Sequence, residues 1–503
     1  MTEVTSTTPD KPIYKSDYMD FLRHPAWLWL KRHDATKLPE GNMVTEGMAA
    51  AGYAFEAVAE HLFPEAVRLG FESHQEFEDL TTVTKAILEN DEGVRTIIQA
   101  KFEADGLACI CDVIHVDGKN VDLYEIKSST KVKDTHVYDL AFQAEVIRRN
   151  GYDIRSVTVL NVNKEYVRDG EVDPQGLVTY NDVTQRVLEL EAPTNLYIPQ
   201  ALATVALTEC VDMSVSELGP VGSVSEWLQV YRHAAQTPDF SIYDLASPKK
   251  ELLVGLEKDG VEMIADIPAG TSLTAKQELQ VLATKQEKPI INHEAIKAFL
   301  GELEFPLYFL DYETYSTVVP YFDGQRPYQQ IPFQFSVHVL DSPDAELRHV
   351  EFLQTEGRDS VADLSEALRA AVGTVGSIVT WNMSFEKGCN TTMGKLKPEF
   401  QEFYEGVNGR IVDLCVPFKD GMYVDHRFKG SYSIKNVLPV MAPEHSYKML
   451  EIGDGGSAQI LWTQAVLDGN EAVDKEALFA ALLEYCGLDT LAMVEIYRKL
   501  AAL

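Results

Sequence analysis

At 503 residues, with 45% hydrophobic and 24% charged residues, the chain has the make-up of an ordinary soluble globular protein and the length for two to four domains. Its net charge of −34 excludes a simple basic nucleic-acid binder, because phosphate backbones are usually met by a cationic face. Six scattered cysteines without a Cys-x-x-Cys pair predict reduced thiols and a cytoplasmic setting. The polar start, Met1 to Asp10, lacks a signal-peptide core, no run approaches the apolar length of a membrane span, and no membrane partner is expected.

In chain order, residues 1–12 read as a disordered tail and 13–200 as a first domain. An early helix carries Gly52-x-x-x-Glu56. The run Ala108 to Val116 is strand-like, Asp117-Gly118-Lys119-Asn120 supplies turn residues, and Val121 to Lys127 returns as a second strand. This hairpin predicts Asp112 beside Glu125-Ile126-Lys127. A helix follows over Tyr138 to Asn150, carrying Gln143, and Ser156 to Val162 reads as a further strand. Lys127, Lys131 and Lys133 cluster here, with Arg148 and Arg149 on the helix.

Asp…Glu-x-Lys in this setting resembles the PD-(D/E)XK nucleases, and Gln143 and Glu56 fall where their RecB and Cas4 branch places further site residues. The resemblance implies Mg²⁺ held by Asp112, Glu125 and Glu56 through oxygen, with Lys127 stabilising charge at the scissile phosphate. The stretch from Tyr14 to Lys31 also resembles the opening helix of Cas4-like proteins. That branch often binds an iron–sulfur cluster, but His24 stands where a cysteine is typical and no cysteine triplet follows Gln143. Cys109 and Cys111 read as strand residues, so no cluster is expected.

Residues 201–300 carry short helical patterns (Val224 to Ala235, Thr274 to Ala283) and read as a mostly helical connecting region without chemistry. A second domain is expected over 301–503. Its pattern is strand Leu307–Asp311, strand Phe333–Leu340, strand Arg348–Gln354, helix Ser360–Val372, strand Ser377–Trp381, then helix from Phe385. The first strand runs into Asp311-Tyr312-Glu313 and the last into Asn382-Met383-Ser384-Phe385-Glu386. Near the C-terminus, Tyr485 and Asp489 stand four apart, on one face of a helix. Gly487 between them suggests that something approaches the helix closely.

Asp-x-Glu, then Asn-x-x-Phe-acid, then Tyr-x-x-x-Asp is the order of the three motifs of the DEDD exonucleases, and resembles their tyrosine subclass. The implied fold is ribonuclease-H-like, which makes the whole chain α/β: a restriction-endonuclease-like domain, a helical connection and a ribonuclease-H-like domain. Asp311, Glu313, Glu386 and Asp489 are expected to ligate two Mg²⁺ or Mn²⁺ ions, which hydrolyse a phosphodiester by activating water and stabilising the leaving oxygen. Tyr485 is expected to orient the attacking water. Glu386 departs from the usual Asp and reaches about 1.5 Å further. Glu484 stands where the histidine subclass has its base. Pro327 to Phe335 and Gly430 to Lys435 are similar to stretches of a little-characterised bacterial family with this domain. Asp413, in the strand-like Arg410 to Leu414, is given a structural role or one in positioning the site.

The function expected is a metal-dependent nuclease acting on DNA or RNA, exonucleolytic at the C-terminal site. Bound metal offsets part of the acidic charge, and Lys387, Lys395, Lys397, Arg427, Lys429 and Lys435 add local excess. Binding is expected to be weak and salt-sensitive, or helped by a recruiting protein partner. One rival is a nucleic-acid-binding scaffold of a defence or repair complex with one or both sites inactive. Another is a phosphodiesterase for small nucleotides. No residue identifies a 2′-hydroxyl contact, so DNA and RNA stay open.

Overall fold

The apolar runs condense into an α/β architecture in a computed structural model, which describes residues 11–89, 93, 95–447 and 450–503. Of the tail expected over 1–12, residues 1–10 lie outside the described residues. Two compact units emerge: 1–41 with 48–166 and 170–237, and 42–47 with 167–169 and 238–503. The stretch 201–300 is mostly helical, as Val224–Ala235 and Ala275–Gln286 illustrate, but it divides between the units near Thr237. Val224–Ala235 buries an apolar stripe of Trp227, Leu228 and Val230.

In the first unit, β1 (Ile13–Tyr14), β2 (Val67–Arg68), β3 (Arg95–Ala104), β4 (Leu107–Asp117), β5 (Asn120–Lys127), β6 (Asp153–Val162) and β7 (Val178–Asp182) form one sheet. The order β2-β3-β4-β5-β6-β7 is antiparallel from β3 to β5, parallel between β5 and β6, and antiparallel again to β7. The hairpin turns at Gly118, whose φ of 61° explains the glycine. Its ladder, Val113 opposite Tyr124 to Asp117 opposite Asn120, brings Asp112 to the level of Glu125. Where β5 no longer pairs with β4, β1 does, in parallel, at Leu107 and Ala108. Three helices matter to the site: α1 (Lys15–Arg23), α2 (Met43–Glu60) and α3 (Asp134–Arg149). The last begins four residues before the expected Tyr138, with Lys133 at its N-cap.

The second unit holds a five-stranded sheet of β9 (Leu307–Tyr315), β10 (Ile331–Leu340), β11 (Arg348–Leu353), β12 (Ser377–Thr380) and β13 (Ile411–Asp413), and a small pair, β8 (Ile290–Ile291) with β14 (Tyr423–Val424). The order is β11-β10-β9-β12-β13, antiparallel on the β10 and β11 side and parallel on the other. Both faces of the sheet are covered. Tyr308, Leu310 and Tyr312 point into one core, while Leu307 and Phe309 point into another. Helices α4 (Val361–Ala371), α5 (Met383–Leu396), α6 (Ile434–Met441), α7 (Gly455–Trp462) and α8 (Lys475–Ala501) pack around it.

Two expectations change here. First, β9 continues to Tyr315 instead of ending at Asp311, because its partner β10 extends back to Ile331 opposite that tyrosine. Second, α8 is long and apolar enough to cross a membrane by length and composition, although no such run was expected. Half of its apolar window is buried in the protein, and consecutive buried residues Ala492, Met493 and Val494 place that burial on more than one side.

Candidate functional site

The C-terminal site starts from the two-residue period of β9. Asp311 and Glu313 share the face of Leu307 and Phe309, so both carboxylates leave the sheet on one side. The ladder with β12 covers only Leu307 to Phe309, and β9 carries the two acids past its end. On α8, the four-residue spacing turns Tyr485 and Asp489 toward the same place. Asp311, Glu313, Tyr485 and Asp489 line one cavity of about 360 Å³, together with Lys435 of α6 and Gly455 of α7. A Cβ on Gly455 would lie 3.2 Å from Glu313 Oε2, so the bare backbone there lets the start of α7 close onto the carboxylate.

Burial pushes the Asp311 carboxyl well above the ordinary range, and Asp489 adds to it. Glu313 is raised in the same way by burial, then by Asp311 and Asp489. Burial lifts Asp489 to about 6, against the lowering pull of a Tyr447 hydrogen bond and of Lys435. Like-charged carboxylates out of water disfavour one another's ionisation, which a cation would relieve. Burial and the neighbouring Asp489 also keep the Tyr485 phenol protonated far above its usual range, so it is a hydrogen-bond donor.

Glu386 is placed differently. It is 1% exposed on the first turn of α5 and does not line the cavity, although Phe385 does. Its Oε2 is buried without a hydrogen-bond partner. Burial, then Asp311, pushes its carboxyl well up, so it stands near the other acids in electrostatic terms. Asp413 has the structural part: its carboxylate accepts from the backbone N–H of Asn382 (2.9 Å), Met383 (3.2 Å) and Cys415 (3.2 Å). Asn382, at φ 77°, takes the left-handed turn that starts α5, a conformation asparagine tolerates better than most residues. Asp413 thus fixes the start of the helix that bears Glu386.

Sequence reasoning missed Tyr447 and Cys486. The Tyr447 hydroxyl donates to Asp489 Oδ1 at 2.5 Å. Cys486 Sγ lies 3.9 Å from Asp311 Oδ2, and one donor atom each of Asp311, Glu313 and Cys486 falls within 4.8 Å of the others. Gly487 does not enforce a close approach. A Cβ there would meet the His349 ring at 3.6 Å, an ordinary contact.

In the first unit, Glu125 is the hub. It is 1% exposed, and its Oε1 accepts from Lys127 Nζ at 2.7 Å and from Lys15 Nζ at 3.0 Å. Its Oε2 accepts from Gln143 Nε2 at 2.9 Å. Asp112 Oδ2 accepts from the Ile126 N–H at 2.7 Å, and its Oδ1 is 3.9 Å from Lys15 Nζ. The structure therefore brings Asp112, Glu125, Lys127 and Gln143 together. Gln143 acts by orienting acids, since Nε2 also donates to Asp139 Oδ1 at 3.0 Å. Glu56 stands apart, with Oε1 taken by Gln99 Nε2 at 2.6 Å. Its carboxyl is raised by burial and then by Glu125, which places it within electrostatic reach.

Two members had not been anticipated: Lys15 and Asp139. Asp139 accepts from Lys127 at 2.9 Å. The i, i+4 spacing from Asp139 to Gln143 was a usable signal. Burial alone would raise the Asp139 carboxyl, but Lys127 and Lys15 outweigh it and hold it far below the usual range. Asp112 has the opposite fate: burial and Glu125 lift it to about 7.

Several of the flanking cations are held by acids. Arg149 pairs with Glu145, Lys397 with Asp359, Arg427 with Asp425 and Lys429 with Asp239. Lys435 faces the C-terminal site, 5.3 Å from the Tyr485 ring centre, with Nζ donating to the Gly453 carbonyl at 2.7 Å.

A family model described as a domain of unknown function (DUF2779) matches residues 308–433. That span contains Asp311, Glu313, Glu386 and Asp413 and stops before Tyr485 and Asp489. Over 250 residues the chain is 25% identical to the "Uncharacterized protein MG366 homolog" of Mycoplasma pneumoniae, covering 45% of this chain and 37% of that protein. The chain thus spans little more than a third of the length of the curated relative it matches.

Proposed function

We propose that the chain is a metal-dependent nuclease with two sites, the C-terminal one exonucleolytic. One observation carries the reading: the carboxylates of Asp311, Glu313 and Asp489 line a single cavity with a protonated Tyr485 phenol, and among the described lining residues Lys435 alone stands against their charge. The strand order, a three-stranded antiparallel meander continued by two parallel strands, supports a ribonuclease-H-like reading of this unit. Mutually destabilised acids and the partnerless Glu386 Oε2 fit a divalent cation, Mg²⁺ or Mn²⁺, better than they fit an ion-free end state. Asp311, Glu313 and Asp489 would hold it, with Glu386 as a further ligand. When bound, such ions supply an activated water and stabilise the leaving oxygen.

The chain's own residues do the rest. Tyr485 would orient the attacking water by hydrogen bond, since a phenol this hard to ionise is no base. Tyr447 fixes the Asp489 carboxylate. Lys435 offers a positive contact for a phosphate oxygen at the cavity. In the first unit, Asp112 and Glu125 would hold a cation, with Glu56 nearby, and Lys127 would stabilise charge developing on phosphate. Six free thiols support a reducing, cytoplasmic setting. The acidic balance leaves room for a recruiting protein partner.

The test is hydrolysis of end-labelled single-stranded DNA and RNA with Mg²⁺ or Mn²⁺, alongside calorimetric Mn²⁺ titration. Wild type should bind and cut, whereas Asp311→Asn and Asp489→Asn should keep the fold and lose at least about 100-fold in rate, the scale of a misplaced site. Equal cutting by these variants would overturn the C-terminal assignment. Metal binding without any hydrolysis would favour the scaffold reading.

A further inference from the structure

Lys15 is the first residue of α1, where the helix dipole disfavours a cation. Nothing in the helix calls for a lysine there. The parallel pairing of β1 with β4 sets this helix start beside the acid pair, and the side chain, 28% exposed, points into it. Its ammonium touches Glu125 Oε1 at 3.0 Å and approaches Asp112 Oδ1 at 3.9 Å. These are two of the oxygens that a divalent ion shared by Asp112 and Glu125 would take, at roughly 2.0–2.5 Å. An ammonium at that distance from Glu125 and an ion bound to the same oxygen would be two repelling cations in near contact.

Lys127 touches the same Glu125 oxygen, but it has a second acid, Asp139 Oδ2 at 2.9 Å, to stay with. Among the described residues, the ion pairs of Lys15 are both with the would-be ligands. The asymmetry decides which lysine must yield. We infer that Lys15 is a resident counter-ion of the N-terminal site, occupying the place of the divalent cation and displaced when the cation binds. This inference rests on the proposed metal-binding role of Asp112 and Glu125. Its consequence is a threshold: the first unit loads only at a divalent concentration that outcompetes its own lysine. In the ion-free chain, Lys15 also stabilises the fold, because it neutralises buried acids.

The test uses the full chain carrying Asp311→Asn and Asp489→Asn, so that the C-terminal acids do not dominate the titration. Mn²⁺ binding is measured by calorimetry, and melting is followed without metal, for this parent and for added Lys15→Gln, Lys15→Arg or Glu125→Gln. Lys15→Gln should tighten Mn²⁺ binding by about tenfold, lower the ion-free melting temperature, and regain that loss when Mn²⁺ is added. Lys15→Arg, which keeps the charge, should behave like the parent, and Glu125→Gln should abolish binding. If the parent binds Mn²⁺ through Glu125 but Lys15→Gln binds it equally or more weakly, the counter-ion role is wrong and the metal site stands. If neither parent nor Lys15→Gln binds Mn²⁺, both the site and the counter-ion are overturned. A Lys15→Gln chain too unstable to titrate shifts the comparison to Lys15→Met, whose unbranched chain keeps the packing of the stem.

Discussion

The hydroxyl of Tyr447 donates to the Asp489 carboxylate at 2.5 Å, from a loop 42 residues away in sequence. The bond favours the charged form of Asp489 and works against the burial that lifts it to about 6. Tyr447→Phe should therefore move the acidic limb of the pH–activity profile upward by about one unit, since a hydrogen bond to a charged group contributes about 1.5–3 kcal/mol. Turnover at about pH 6 should drop several-fold while turnover near pH 8.5 changes little. A profile that falls evenly at every pH would mean that Tyr447 acts through packing alone.

Glu125→Ala with Lys127→Ala should remove an activity separate from that of the C-terminal site. The hub position of Glu125, with two lysines and Gln143 on its carboxylate, motivates the pair. The doubly substituted chain should still trim labelled single strands, while any cleavage of duplex substrate disappears. Loss of both activities together would point to one shared function instead of two.

Glu386 allows a sharper test, because an acid that costs stability without metal should add affinity when metal binds. A desolvated carboxylate with a partnerless oxygen costs stability in the ion-free chain. Glu386→Gln should raise the ion-free melting temperature by a few degrees and weaken Mn²⁺ binding at the C-terminal site. Glu386→Asp should retain measurable activity, or lose about 100-fold if the shorter arm leaves the ion one oxygen short. Unchanged metal affinity and turnover in Glu386→Gln would remove this residue from the site.

The raised carboxyls also fix a pH dependence. Asp489 at about 6 and Asp112 at about 7 hold protons in the folded chain that the unfolded chain has already released. Stability from these groups is complete below about pH 4 and is lost as pH rises through about 6 to 7. Ion-free protein should thus melt at a lower temperature at about pH 8 than at about pH 5, and added Mn²⁺ should stabilise it more at the higher pH, where no proton competes. A melting temperature that rises over this interval would contradict burial as the dominant influence on these acids.

Local spacing carried the acids and the hairpin, and distant packing carried the rest. Asp311 and Glu313 were readable from a period of two, Tyr485 and Asp489 from a period of four, and the turn at Gly118 from its composition. Lys15 meets Glu125 across 110 residues, and Tyr447 lies in no repeating pattern, so neither partnership had a local signature. Strand β9 ran past its expected end because pairing with β10, not the sequence of β9 itself, sets where it stops. Glu386 was readable as an acid in a motif, but its burial depends on the turn that Asp413 builds from a neighbouring strand.

The contact between α8 and β9 joins Cys486 to Asp311 across 175 residues. Contacts of such separation form late, because loop closure must precede their reward. A partly folded chain can hold Asp311 and Glu313 on the β9–β10 hairpin while Tyr485 and Asp489 are still adrift. Such a species lacks the cavity that Asp311, Glu313, Tyr485 and Asp489 line together. Until it docks, the same helix leaves exposed the apolar side chains that it buries in the folded chain, such as Leu482, Met493 and Val494.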